Sequence, residues 1–117
     1  MATVCKRGEI YWVNWHPGRG REQTGRRPAL IIQNDIGNQY SPTTIIAACS
    51  TAQTKDYPFV VNVGSKESGL PKGCSVNLAQ IITIDKSRLA IKCGALSPNK
   101  MNEIDQAIKC SLGLSLL

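Results

Sequence analysis

The stretch GREQTGRRPALIIQND, residues 20–35, joins a basic loop hinged on Gly20 and Gly25 to an apolar run, Ala29 to Gln33, that reads as strand. Pro28 stands at the junction and biases the residue before it, Arg27, toward extended backbone. The guanidinium of Arg27 is therefore carried on ordered chain. A cation held this way suits a flexible polyanion as partner.

Toward the N-terminus, residues 9–15 (EIYWVNW) are rich in aromatic and branched side chains and end at His16-Pro17-Gly18, a strand running into the loop 16–27. Alternation assigns Trp12 with Ile10 to the core face and Trp15 to the other. Toward the C-terminus, Asn34-Asp35, Gly37-Asn38 and Ser41-Pro42 supply turn chemistry, and Thr43 to Ser50 form a third strand. Phe59 to Val63 reads as a fourth strand after the break at Asp56-Tyr57-Pro58. The turn at Gly69-Leu70-Pro71-Lys72-Gly73 leads into Ser75 to Gln80, and Ile91 to Ala95 makes a last short strand. Asp85 to Leu89 is expected to form one helical turn.

A longer helix is expected near the C-terminus. Ser97 can cap it, Pro98 suits its first position, Met101, Ile104, Ile108 and Leu112 recur at helical spacing, and Gly113 is placed to end it. Lys100 stands where a glutamate would complete a capping box, so half of that start signal is missing. Short strands followed by one amphipathic helix predict a mainly β (α+β) fold: a small, strongly curved antiparallel sheet or partly open barrel with the helix laid on it. At 117 residues, 42% hydrophobic and 19% charged, the chain is expected to form one domain over 1–117.

Fourteen Lys and Arg against eight Asp and Glu give a net charge of +6 and a pI of about 9.3, favouring an anionic partner. The excess is concentrated. Within residues 1–30, Lys6, Arg7, Arg19, Arg21, Arg26 and Arg27 face only Glu9 and Glu22, so this quarter is the expected anion-facing surface. The five cysteines, Cys5, Cys49, Cys74, Cys93 and Cys110, are odd in number, show no Cys-x-x-Cys pair and follow no signal peptide, so they read as reduced thiols of a cytoplasmic protein. No run approaches the roughly 18 apolar residues of a membrane span. A single histidine, His16, and the absence of carboxylates at ligand spacing argue against structural zinc, a two-metal nuclease site or a two-histidine ribonuclease.

In order along residues 6–114, the chain resembles the MazF/PemK family of toxin endoribonucleases, the toxic halves of type II toxin-antitoxin pairs. The resemblance runs through KRGEIYWV (6–13), Glu22-Gln23 with Arg27-Pro28, IIQNDIGN (31–38), SPTTIIAA (41–48), LAQIITIDK (78–86) and Arg88-Leu89. It implies an SH3-like, CcdB-like barrel with a terminal helix, a homodimer, an acidic antitoxin partner, and metal-independent cleavage of single-stranded RNA with no cofactor. In that chemistry the ribose 2′-hydroxyl attacks the adjacent phosphate, leaving a 2′,3′-cyclic phosphate and a 5′-hydroxyl.

The resemblance also implies site residues. Arg27 matches the family's catalytic arginine, and its planar fork can hold two phosphate oxygens. The family's catalytic threonine follows Ala-Ala-x; here Ala47-Ala48-Cys49 is followed by Ser50 and then Thr51, so Ser50 is the aligned hydroxyl and Thr51 the alternative. Glu22 matches the loop glutamate, which could orient Arg27, contact a base edge or accept a proton. Gln80 suits base-edge recognition, although alternation places it on the face of Val76 and Leu78, where a buried structural amide is the competing reading. RNA contacts are expected from Trp15 and His16 by stacking, and from Arg19, Arg21, Gln23, Arg26, Thr51 and Gln80. Asn34 and Asn38 are expected to serve turns first. Ile82 stands where the family often has arginine, which is expected to alter RNA grip or sequence preference. Two other classes compete: a noncatalytic toxin on the same barrel, like the gyrase-poisoning relatives, and a nucleic-acid-binding regulator that binds with steep salt dependence and cuts nothing.

Overall fold

Residues 4–15, 25–51 and 56–115 are described by the computed structural model, the side chain of Trp15 excepted. Among these residues six strands form one antiparallel sheet: β1 (Glu9–Trp15), β2 (Gly25–Ile31), β3 (Thr43–Ser50), β4 (Val60–Val63), β5 (Cys74–Asp85) and β6 (Leu89–Ala95). Their order across the sheet is β4-β5-β3-β2-β1-β6. Among the described residues three helices accompany them: α1 (Asp35–Tyr40), α2 (Ser65–Ser68) and α3 (Pro98–Ser111). A 3-10 turn, Lys86–Arg88, links β5 to β6 and is capped by Asp85, as Asp85 to Leu89 predicted.

The central strands are apolar on both faces, which is why they read as continuous hydrophobic runs rather than clean alternation. Ile10, Leu30, Ala47, Val76 and Leu78 point to one core, which α3 covers with Ile104 and Ala107. Trp12 packs against that core, as alternation required. Tyr11, Val13, Ala29, Ile31 and Ile46 point to a second core, closed by Cys5, Ile84 and Leu89. Burial, and next the nearby Glu9 carboxylate, push the Tyr11 phenol up to about 12.

The sheet curls because β5 is irregular. Ala47 pairs with Ile81, yet Ala48 pairs with Asn77, so Leu78, Ala79 and Gln80 have no partner in β3. Such an insertion bends and twists a strand. The resulting half-barrel has edges at β4 and β6, and α2, which follows β4 directly, packs backbone to backbone against β6. A side chain at Gly94 would collide with the carbonyls of Glu67 and Ser68, and one at Gly69, where φ is +73, with the carbonyl of Cys93. Only glycine permits that approach at both positions.

The α3 cap solves the problem posed by Lys100. Ser97 Oγ accepts from the Lys100 N–H at 3.2 Å, the ordinary half of a capping box. The reciprocal half comes from α2: Glu67 Oε1 accepts from the Ser97 N–H at 2.6 Å. That bond, made to the backbone and supported by the Ser97 side chain, holds the Glu67 carboxyl below its ordinary range. Gly113, at φ +71, follows the helix end as expected, but Leu112 is 59% exposed and lies off the buried stripe, where Ala107 stands instead.

Residues 34–42 differ from the turn reading. Asn34 Oδ1 accepts from Gly37 N at 2.7 Å and caps α1, a helix that holds Gly37 and Asn38, two weak helix formers. Tertiary bonds compensate. Asn38 is buried; its amide donates to the Gln33 carbonyl (3.0 Å) and to Asp35 Oδ1 (3.1 Å), and its Oδ1 accepts from Thr44 Oγ1 (2.8 Å) and Gln33 Nε2 (3.1 Å). The buried Lys86 Nζ donates to the Asn38 carbonyl. Thus Asn34 serves a cap and Asn38 a saturated polar core.

Candidate active site

Pro28 decides where the sheet opens. The β2–β3 ladder runs only through Ile31↔Ile46, Leu30↔Ala47 and Ala29↔Ala48. Beyond it β2 continues through Pro28 to Gly25 paired with β1 alone, and β3 continues through Cys49 and Ser50 paired with β5 alone. Pro28 has no N–H to offer the next rung, so the strands part there. Continuing the register would set Pro28 opposite Cys49 and Arg27 opposite Ser50, so the split faces these two side chains across a gap.

An open cleft of about 170 Å³ occupies that gap. Ala48, Cys49 and Ser50 line it from β3, Arg27 from β2, Val60, Ser75 and Asn77 from β4 and β5, Gln80 from the β5 irregularity, and Tyr57 and Phe59 from the turn before β4. Arg27 is the one charged residue among these, half-buried and with its backbone fixed opposite Val13. Its side chain has no hydrogen-bond or ion-pair partner among the described residues. Such a cleft sets one planar cation, two serine hydroxyls and two carboxamides against an apolar floor, a combination that can hold a phosphodiester while contacting the flat ring of a base.

Arg27, Ser50 and Gln80 are thus brought together. Thr51 is not among them: it is exposed and lines a neighbouring depression with Asn62, Lys72 and Cys74. Gln80 is exposed rather than buried with Val76 and Leu78, because the irregular segment breaks the alternation on which the buried-amide reading rested. Arg26 is exposed, its Nε donating to Asn14 Oδ1 at 3.2 Å. Trp15 ends β1 opposite Gly25. Glu22, His16, Arg19, Arg21 and Gln23 lie outside the described residues. Ile82 pairs with Ile46 and is 39% exposed.

The N-terminal cations divide. Arg7 is engaged within the fold, its Nε donating to the Ile32 carbonyl at 2.9 Å and its Nη2 reaching Asp105 Oδ1 at 2.5 Å. It does not belong to an open basic surface. Cys49 is no nucleophile: its contact with the Cys74 thiol, and then burial, raise its pKa well above the ordinary value. Among the described residues no group of three or more His, Cys, Asp and Glu side chains is placed to hold a metal ion, and no helix is long and apolar enough to cross a membrane.

Sequence reasoning missed Tyr57, Phe59 and Asn77. Two aromatics flanking Pro58 were the available signal, hidden because Asp56-Tyr57-Pro58 reads simply as a break and Phe59 as the start of the next strand.

The profile of the PemK-like, MazF-like toxins of type II toxin-antitoxin systems matches residues 6–112. The chain is 45% identical over 113 residues to the endoribonuclease MazF of Staphylococcus epidermidis, covering 96% of this chain and 94% of that protein. Its fold superposes on an endoribonuclease from a mycobacterial species in complex with its cognate antitoxin (TM-score 0.80, 27% identity, 97% of this chain and 99% of that one). It also superposes on MazF of Deinococcus radiodurans (TM-score 0.74, 26% identity, 95% and 98%). With the arginine and the hydroxyl of the resemblance meeting in one cleft of a curled six-stranded sheet, this chain belongs to the MazF/PemK family of toxins of type II toxin-antitoxin systems.

Proposed function

We propose that residues 1–117 form a single toxin domain that cuts single-stranded RNA at a preferred sequence, without a metal, and thereby stops translation and growth. The observation that carries this reading is the meeting of Arg27 and Ser50 across the split between β2 and β3.

In the reaction the ribose O2′ bonds to the neighbouring phosphorus while the P–O5′ bond breaks, giving a 2′,3′-cyclic phosphate and a free 5′-hydroxyl. The O2′ proton leaves to an acceptor, and the departing O5′ takes one up. Arg27 holds two non-bridging oxygens and stabilises the charge that builds on them. A guanidinium with a pKa above about 12 surrenders a proton poorly, so its role is electrostatic rather than acidic. Ser50, as a hydroxyl donor, binds a phosphate oxygen, with Thr51 as the alternative. Glu22 orients Arg27, contacts a base or accepts the proton. Trp15 and His16 stack on bases, and Arg19, Arg21, Gln23, Arg26 and Gln80 grip the strand.

In the cytoplasm the chain acts as a homodimer, and an acidic segment of its antitoxin covers the arginines and excludes RNA. The test is incubation of a long unstructured RNA with wild type and Arg27→Ala in excess chelator, with both new ends mapped. Cyclic phosphate and 5′-hydroxyl ends from the wild type alone are expected. Intact RNA at high enzyme, or scission only with magnesium, would overturn the proposal.

A further inference from the structure

We infer that Tyr57, backed by Phe59, is the stacking face for one base of the bound RNA, and that the Asn77 amide donates to an acceptor on that base's edge; this rests on the ribonuclease reading above. The two rings lie parallel, centroids 5.1 Å apart and planes 6° from coincidence, in the offset stack that aromatic pairs favour. They are held firmly. The Val60 N–H donates to the Tyr57 carbonyl at 3.0 Å, closing the turn through Pro58, and the Leu78 N–H donates to the Phe59 carbonyl at 2.8 Å.

Phe59 is half-buried and occupies one face of Tyr57, while Tyr57 remains 47% exposed and lines the cleft that holds Arg27. A half-exposed ring backed by a second ring, beside a phosphate-holding cation, is the geometry a splayed nucleotide requires: base on the ring, backbone on the guanidinium.

Asn77 lies opposite Val60 in the β4–β5 ladder and lines the same cleft. Its Oδ1 accepts from the Ala79 N–H at 2.9 Å. A backbone N–H can only donate, so this bond fixes which end of the carboxamide is the oxygen and leaves the NH2 as the group on offer. The complement is a ring carbonyl or ring nitrogen acceptor.

The test begins from the cut site mapped in RNA. An oligonucleotide spanning it, blocked by 2′-O-methyl at the scissile ribose, carries an abasic residue or 2-aminopurine at each position in turn, and binding is measured for wild type, Tyr57→Ala, Tyr57→Trp and Asn77→Asp. Tyr57→Ala is expected to weaken binding roughly 10- to 100-fold, and Tyr57→Trp to restore or tighten it. At one position the abasic penalty should vanish in Tyr57→Ala, and 2-aminopurine quenching there should be lost with it. Asn77→Asp should shift preference at that position toward a base presenting a donor.

Binding by Tyr57→Ala within twofold of wild type, or a loss that simply adds to the abasic penalty at every position, would overturn the inference. So would a Tyr57→Ala defect confined to an acidic antitoxin peptide. A wild type that leaves RNA whole sinks the ribonuclease reading instead, so the two failures are told apart.

Discussion

Arg7 and Arg27 lie twenty residues apart in the chain and do opposite things. Arg7 is engaged within the fold, with its backbone N–H donating to Asp35 Oδ1 at 2.7 Å, its Nε to a carbonyl and its Nη2 on the Asp105 carboxylate of α3. Arg27 reaches a cleft with no carboxylate among the lining residues. One guanidinium ties the N-terminal segment to the terminal helix, and the other keeps its donors for a ligand. Net charge weighs both equally. Only the distribution of acceptors separates a structural cation from a functional one.

The largest effect expected on this contrast comes from Arg27→Ala: RNA cleavage in chelator falls about 10²- to 10³-fold in turnover while the melting temperature is unchanged. Arg27→Lys, which keeps the charge but loses the fork, recovers little of it. Matched calorimetry and single-turnover cleavage check both. A stability loss in Arg27→Ala comparable with its activity loss would erase the distinction.

Gly69→Ala should damage the structural side alone. A methyl there meets the Cys93 carbonyl at a φ of +73, and a loss of more than about 3 kcal/mol in urea unfolding is expected. Gly25 provides the control: it also has positive φ, at +94, but nothing stands within 4 Å of the added carbon, so Gly25→Ala should cost less.

Arg7→Ala should be the mirror of Arg27→Ala. Removing a partly exposed ion pair and a carbonyl bond lowers stability by about 1–2 kcal/mol, with cleavage per folded molecule unchanged at low temperature. Equal losses of turnover in the two variants would mean that both arginines touch RNA.

The smallest effect is acidic. Glu67 in the folded chain lies below its ordinary 4.5, because the Ser97 N–H favours the carboxylate. Its contribution is therefore complete above pH 4.5 and is lost as the pH falls through the lower folded value. Asp35, held below 3.8 first by the Arg7 backbone N–H, titrates out with the same sign. Melting temperatures should decline below pH 4.5, and Glu67→Gln should show the shallower decline.

Strand identities and the terminal helix were legible because local chemistry and tertiary position agree at Thr43–Ser50 and at Ser97-Pro98. What stayed hidden depended on distant partners. Turn formers at 34–42 are also the residues that cap a very short helix, and the bonds from Gln33 and Thr44 to Asn38 decide for helix. The irregular segment Leu78–Gln80 exists only relative to β3, so alternation within β5 misassigned Gln80. The missing half of the α3 cap lay thirty residues upstream in Glu67. At the cleft, Arg27, Ser50 and Gln80 were legible through family likeness, whereas Tyr57 and Asn77 join them only once the ladders are drawn.

The bond from Glu67 to Ser97 couples two events that the chain could otherwise keep apart. Fraying of the first turn of α3 and departure of α2 from β6 share one carboxylate, so loosening either weakens the other. When α2 leaves, β6 presents an uncovered row of amides and carbonyls, the template on which stray strands add. A fall in pH well below 4.5, far enough to protonate Glu67, therefore threatens solubility, and self-association of the still-folded protein is its first sign.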